Sequence, residues 1–444
     1  MARIVINSWG SYGDVNPYLA LGVALAERGH DVVMALPAHF RADVERVGLT
    51  LAPVGLVLDE QAPETQAMVE RILDARRGAE YIYRRLILPT IRDTYAQLAS
   101  AAAGADLLVS HPLGIGAPPL AEKTGIRWAS TVLAPISFAS RHEMVVPPQA
   151  PWLKGLERFG PSVPHFFGWF MRVFTERWTE PVQTFRAALG LPRGAHAIFE
   201  GQYSAPLVLA MFSRVLAAPQ PDWPSNTVVT GQLVNDTPQG VELPETLRTF
   251  LSIGDAPVVF TLGSSAVRHS GTFFDESIHA MHRVGRRAVF LAGADVTARL
   301  AHTLPPHMLM IEQAPHSLLF PRAALVVHQA GVGTLGTALR AGVPTLAVPF
   351  ANDQPDNAYR IAALGTSVTM YPSQYRATAV ADTLAAMLSD RGRAARAAAI
   401  GEQVRAEGGA EHACACLEAY LRSARSVRPA TPNATFSPNR PTRT

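Results

Sequence analysis

His328-Gln-Ala-Gly-Val-Gly-Thr334, followed by Ala341-Gly-Val-Pro344 and Asp353-Gln-Pro-Asp-Asn357, decides the reading of this 444-residue chain. The run before it, 323–327, is apolar with two valines, the pattern of a buried parallel strand. The run after it, 334–340, reads as a helix. A strand that ends in glycines and opens into a helix aims several backbone N–H groups at one point on the positive end of the helix dipole. That point suits an anion, a diphosphate best, and assigns Gly331, Val332, Gly333 and Thr334 to it, with His328 beside them. The next strand, 344–349, leads to Asp353 and Gln354, whose side chains suit sugar hydroxyls. A lone Gly-x-Gly-Thr turn is common in proteins that bind no phosphate; the joint spacing of these pieces is far more specific, and describes a nucleotide-sugar pocket.

Strand and helix patterns alternate on both sides of this block. Towards the N-terminus of the same half, 257–261 is a strand running into Gly263-Ser264-Ser265, whose amides and hydroxyls can reach phosphates. A helix is expected at 273–284, with further strands at 288–291 and 308–311. The first half follows the same plan: strands at 3–7, 31–36, 107–110 and 128–132, and helices at about 15–28, 40–47 and 118–124, with Pro17 suited to a first helical turn. Such alternation predicts α/β domains with doubly wound parallel sheets. The stretch Ala217-Ala-Pro-Gln-Pro-Asp-Trp-Pro-Ser225 carries three prolines and reads as an interdomain linker. The expected organisation is a domain over 1–216, a linker over 217–230, a second domain over 231–425 whose last helix can return to the first, and a disordered tail over 426–444.

Composition narrows the class. With 48% hydrophobic and 17% charged residues the chain can bury two cores and reads as an ordered enzyme. The net charge of +3 owes much to Arg422, Arg425, Arg428, Arg440 and Arg443 near the C-terminus, so no nucleic-acid face is expected. Cys414 and Cys416 are the only cysteines, too few for a disulfide framework or a zinc site. No apolar run reaches transmembrane length and Met1 leads directly into a strand, which predicts a cytoplasmic protein.

Two further features concern chemistry. Gly10-Ser-Tyr-Gly-Asp-Val-Asn-Pro17 lacks the Gly-x-Gly-x-x-Gly spacing of a dinucleotide turn, which argues against NAD. Its Asp14 suits a helix N-cap or a general base facing a cleft, and His111, after a strand, is expected on the same rim. Residues 164–178 hold six aromatic side chains. At helical spacing Phe166 and Phe170 share a face, which either packs on the first domain or forms an apolar wall for an acceptor, with a peripheral contact at the inner face of a membrane as an open reading. No Asp-x-Asp pair sits at a strand end, so no metal is expected.

The block 328–357 resembles the donor-binding signature of family 1 glycosyltransferases, and the resemblance extends over nearly the whole chain. It implies the GT-B architecture, two Rossmann-like domains facing each other across a cleft. It implies Asp14 as the base that deprotonates the acceptor, as in the Asp-bearing sterol and glycopeptide-antibiotic branch, and a nucleobase turn around Ala314 in Glu312-Gln-Ala-Pro-His316. Plant members have Trp where this chain has Gln313, and a ribose-binding Glu where it has Gly336-Thr337, so a thymidine- or uridine-linked donor is expected. Gly10-Ser-Tyr-Gly-Asp-Val15, Pro219-Gln-Pro-Asp-Trp-Pro224 and Val259-Phe-Thr-Leu-Gly-Ser264 are most similar to the rhamnosyltransferase B chains of rhamnolipid synthesis and their bacterial relatives. The implied activity is inverting transfer of a hexose, rhamnose in that group, from a nucleoside-diphosphate sugar to a hydroxyl of an apolar, lipid-like or natural-product acceptor. No cofactor beyond that co-substrate is implied. A sugar-nucleotide epimerase and a non-catalytic accessory subunit of the same fold are the alternatives.

Overall fold

The computed structural model describes residues 1–56, 62–234, 241–263, 267 and 270–423. Among the described residues, short runs of Val, Ile, Leu and Ala form thirteen strands in two wholly parallel sheets. The first sheet holds β1 (Arg3–Asn7), β2 (Asp31–Leu36), β3 (Thr50–Pro53), β4 (Leu107–Ser110), β5 (Arg127–Val132), β6 (Val208–Ala210) and β7 (Thr227–Val229), in the order β3-β2-β1-β4-β5-β6-β7. The second holds β8 (Val258–Thr261), β9 (Ala288–Leu291), β10 (Met308–Ile311), β11 (Leu325–His328), β12 (Thr345–Ala347) and β13 (Ser367–Thr369), in the order β10-β9-β8-β11-β12-β13. Strands this apolar suit a sheet covered on both faces, and β1, β4, β8, β9 and β11 are buried almost throughout. Each order reverses once, between β1 and β4 and between β8 and β11. A crevice opens at the carboxyl ends of the strands at such a point, and this is where α/β sheets take ligands.

Two expectations are corrected. Residues 217–230 are not a linker, because β7 completes the first sheet. The proline-rich stretch is the connection from β6 to β7, held down by Trp223, which is 7% exposed, stacks on Phe138 at 4.0 Å and meets Phe212 edge-on. Its prolines stiffen a turn within the domain; the passage to the second sheet comes after Val229. Next, the first helix is Tyr12–Glu27, so Pro17 lies inside it rather than in its first turn. Lacking an N–H, Pro17 leaves the Gly13 carbonyl without its usual helical partner. Of the two readings left open for the aromatic face of helix Ser162–Ala188, core packing is the one set aside: Phe166 is 64% and Phe170 47% exposed.

The domains meet at several places, two of them extensive. Helix Gly409–Ser423 lies on the first domain, burying Ala413, Cys414, Leu417 and Leu421 among Ile4, Tyr18 and Leu25. On the other side, helix Gln354–Ala363 offers Asp356 and Arg360, both buried, to the first-domain segment after β5. Arg360 pairs with Asp356 at 2.7 Å and Glu143 at 3.0 Å and donates to the Leu216 carbonyl; Asp356 also accepts from the Val146 amide at 2.9 Å. Ser264, Ser265 and the stretch 426–444 lie outside the described residues.

Candidate active site

Asp14 stands at the first switch point. Ser11 is the N-cap of helix Tyr12–Glu27 and Asp14 its N3 residue, together a capping box. One carboxylate oxygen, Oδ2, accepts from the Ser11 amide at 2.8 Å and from its hydroxyl at 3.0 Å. The other, Oδ1, is directed towards His111 Nε2 at 3.8 Å, beyond hydrogen-bond reach. Capping therefore engages one oxygen and leaves the second to other work. Burial pushes the carboxyl above its usual range, against the opposing pull of the Ser11 amide and hydroxyl. Gly10 leaves room for it: at φ +127°, a Cβ there would lie 2.4 Å from Asp14 Oδ2.

His111 is not on a solvent rim, as expected, but in the wall behind Asp14, 6% exposed. Its Nδ1 accepts from the Leu113 amide at 3.0 Å and its ring meets Tyr18 edge-on. Burial pushes its pKa down to about 3, so the ring is neutral with its proton on Nε2, facing Asp14.

At the second switch point the chain leaves β11 through His328, Gln329, Ala330 and Gly331 into helix Val332–Ala341. Gly331 is the N-cap and no side chain caps the first turn, so the amides of Val332, Gly333 and Thr334 lack helical partners. His328 is fully buried, its Nδ1 accepts from the Ala330 amide at 3.0 Å, and its Nε2 has no partner. Burial, helped by His316, pushes it down to about 3; it is a neutral imidazole with an unsatisfied buried N–H. Ala330 itself sits at φ +65°, a conformation costing an alanine about 1–2 kcal/mol. The Ala330 carbonyl is held by the Asn357 amide at 3.0 Å, which also donates to Asp353 at 2.6 Å. Gln354 Oε1 accepts from the amides of Phe350 and Ala351, so its carbonyl braces the loop after β12 instead of standing free.

The two half-sites meet. A Cβ on Gly333 would lie 3.4 Å from Gly13 Cα, so the N-terminal turns of helices Tyr12–Glu27 and Val332–Ala341 touch across the domains. Asp353 shares that space. Burial raises its carboxyl to about 7 and the Asp14 charge adds to the rise. Asp14, His111, the 331–334 turn, His328 and Asp353 are thus gathered at one place. Phe166 and Phe170 are elsewhere in character: their ring neighbours are Trp169 and Phe174 on the outer face of their own helix. Ala314 is half-buried after β10, packed on the core that includes Leu319 and Phe320.

Two glutamines escaped the sequence reading. Gln329, 5% exposed, lies against Gly263, where a Cβ would come 2.3 Å from its Nε2, and its Oε1 is buried without a partner. Gly263 is therefore needed both for its φ of +63° and for this contact. Gln232, just beyond β7, lies over Gly336 on the 332–341 helix, where a Cβ would meet its Cδ at 2.3 Å. The lone signal of either in the sequence is the glycine opposite. Among the described residues no three His, Cys, Asp or Glu side chains cluster to hold a metal ion.

Residues 4–133 match the family described as glycosyltransferase family 28, N-terminal domain, and 280–418 the erythromycin biosynthesis protein CIII-like C-terminal domain. The chain is 32% identical over 440 residues to O-mycaminosyltylonolide 6-deoxyallosyltransferase of Streptomyces fradiae, covering 95% of this chain and 98% of the relative. It is 28% identical to vancomycin aglycone glucosyltransferase of Amycolatopsis orientalis, covering 96% and 99%. In fold it is similar to spinosyn rhamnosyltransferase SpnG complexed with thymidine diphosphate, with a TM-score of 0.66 at 19% identity over 94% of this chain and 100% of that one. Two facing parallel-sheet domains of this kind are the GT-B architecture.

Proposed function

The chain belongs to the glycosyltransferases, and from that premise we propose that it moves a hexose, with inversion, from a thymidine- or uridine-diphosphate sugar to a hydroxyl of an apolar natural-product or lipid-like acceptor. The observation that carries the reading is the meeting of the two helix N-terminal turns at Gly13 and Gly333, which sets a carboxylate beside an uncapped set of amides. Asp14 takes the proton of the acceptor hydroxyl as its oxygen attacks the anomeric carbon. The bond from that carbon to the diphosphate oxygen breaks on the opposite face. Negative charge growing on the diphosphate is met by the amides of 332–334 and the helix dipole, all fixed before the reaction begins. The unpartnered Nε2–H of His328 is a donor that a ligand oxygen would satisfy. Asp353 and Gln354 are the proposed sugar-hydroxyl partners, and Ala314 the nucleobase contact.

A thymidine nucleotide and a 6-deoxyhexose are favoured by the relatives: one is a 6-deoxyallosyltransferase, and the similar rhamnosyltransferase was solved with thymidine diphosphate. The lack of a carboxylate at Gly336-Thr337 suits a sugar without a ribose 2′-hydroxyl. The test is to supply thymidine- and uridine-diphosphate hexoses with β-hydroxy lipids or polyketide aglycones and to follow free nucleoside diphosphate and the anomeric configuration of the product. Acceptor-dependent release with inversion is expected. Conversion of the donor sugar without any acceptor would instead identify an epimerase.

A further inference from the structure

Helix Ser162–Ala188 is built inside out. Its inward face carries Pro164, Gly168, Thr175, Thr179 and Val182, all buried. At 100° per residue the opposite face carries Phe166, Trp169, Phe170, Val173 and Phe174, which are 47–64% exposed. Just before this helix, Trp152 and Phe159 on the 3-10 segment Pro151–Phe159 are 71% and 68% exposed. Large apolar side chains at a protein surface are ordinarily scattered; a cluster of this size marks a face that meets another apolar phase.

The charges around the cluster indicate which phase. From 158 to 175 the chain has no Asp or Glu, while Arg158, His165 and Arg172 fall within that run, Arg172 being paired with Glu200 at 2.7 Å. The outer face continues through Arg177, Pro181 and Thr184, which line an open groove of about 520 Å³ against Leu88, Ile91 and Arg92. Among the described residues, Arg158 and Arg177 have no carboxylate partner, and Arg92 lies over the Phe185 ring at 5.6 Å. The groove's Glu180 is already held by Arg193 at 3.0 Å. A second copy of this face, packed by two-fold symmetry, would set arginine near arginine. An anionic bilayer offers an apolar interior to the aromatic rings and phosphates to the arginines.

We propose that this face docks in the plane of an anionic lipid bilayer, its aromatic side chains at the headgroup–acyl boundary and the Arg92–Arg177 groove on lipid phosphates. The contact is peripheral, since no helix of the described residues is long and apolar enough to cross a membrane. It is independent of the transfer chemistry, so either reading can fail alone.

Flotation of the full chain with vesicles of phosphatidylcholine, pure or mixed with phosphatidylglycerol, tests it. Binding to the mixed vesicles with a blue shift of tryptophan emission is expected. Trp169→Ser and Phe174→Ser, separately, should each lower the partition constant about tenfold, as loss of one inserted aromatic side chain implies, with melting temperature unchanged because both side chains are exposed. Arg177→Gln should weaken binding roughly fivefold on mixed vesicles and leave pure phosphatidylcholine unaffected. Absence of flotation, or flotation indifferent to these substitutions, overturns the proposal. So does a dimer in sedimentation velocity that Trp169→Ser dissociates without any vesicle binding, which would make a second copy the occupant.

Discussion

Asp14→Asn separates chemistry from architecture at the proposed base. The asparagine carbonyl keeps an acceptor for the Ser11 amide now 2.8 Å from Asp14 Oδ2, so the capping box is weakened, not lost. What disappears is the negative charge in the first turn, worth about 0.3–1 kcal/mol against the helix dipole. Burial, which raises the Asp14 carboxyl, works against that gain, so no fall in melting temperature is expected at neutral pH. The amide cannot take a proton from an attacking hydroxyl at neutral pH, so turnover at saturating donor should drop roughly 10²-fold or more. A second readout follows from Asp353, which burial and then the Asp14 charge hold at about 7. Without that charge the Asp353 carboxyl ionises at lower pH, so the midpoint of any pH-dependent donor binding should move down. Turnover within about threefold of the parent, measured on folded protein, would refute the assignment and leave Asp14 a helix cap. His111, neutral and turned towards Oδ1, would then be the next side chain to test.

Other substitutions probe the remaining parts. His328→Ala removes the buried Nε2–H and should weaken nucleoside-diphosphate binding by about ten- to a hundredfold in calorimetry, the range of a hydrogen bond to a charged group. Since His328 is neutral down to about pH 3, protonation of His328 should not make parent affinity vary between pH 5.5 and 8. Asp353→Asn should stabilise the ligand-free protein at pH 8 while impairing donor use: a carboxyl raised to about 7 favours folding below its unfolded value near 4, and that advantage is lost as pH rises through 7. Little stability difference is expected at pH 4, and thermal melts at both pH values decide it. Arg360→Gln leaves Asp356 and Glu143 without their shared cation, and should cost about 3–5 kcal/mol in chemical denaturation, the penalty of breaking a buried pair.

Much of this arrangement was legible because it rests on local rules. Alternating apolar strands and helices announced both parallel sheets, and strands expected at 3–7, 31–36, 288–291 and 308–311 lie at those residues. The 331–334 turn was legible for the same reason: a glycine N-cap with no capping side chain leaves amides open, and that follows from residue types alone. Where the reading failed, the deciding contact was distant in sequence. Prolines at 219, 221 and 224 punctuate a linker or a turn equally well; the burial of Trp223 against Phe138 decided for a turn. Gln329 and Gln232 gained their places from Gly263 and Gly336, residues far away in the chain. In helix Ser162–Ala188 the period was correct, yet period identifies which side chains share a face and not which face is outside.

Each half-site is built within its own domain, and the domain contacts join them. Asp14 is set by Ser11 and Gly10 within its own turn, and His328 by Ala330 within its own loop, so each is complete without the other domain. Their relation depends on Gly13 meeting Gly333 on one side and on Arg360 joining Glu143 to Asp356 on the other. The helix carrying Arg360 begins directly after Asp353, so the ion pair that holds the domains together also fixes where Asp353 faces Asp14. A change of domain angle that breaks the Arg360–Glu143 pair alters the distance between Asp14 and Asp353, and with it the repulsion that contributes to the raised Asp353 pKa. Domain geometry and the protonation of Asp353 are thereby coupled, because the Asp14 charge that raises Asp353 acts across the same interface that Arg360 holds shut.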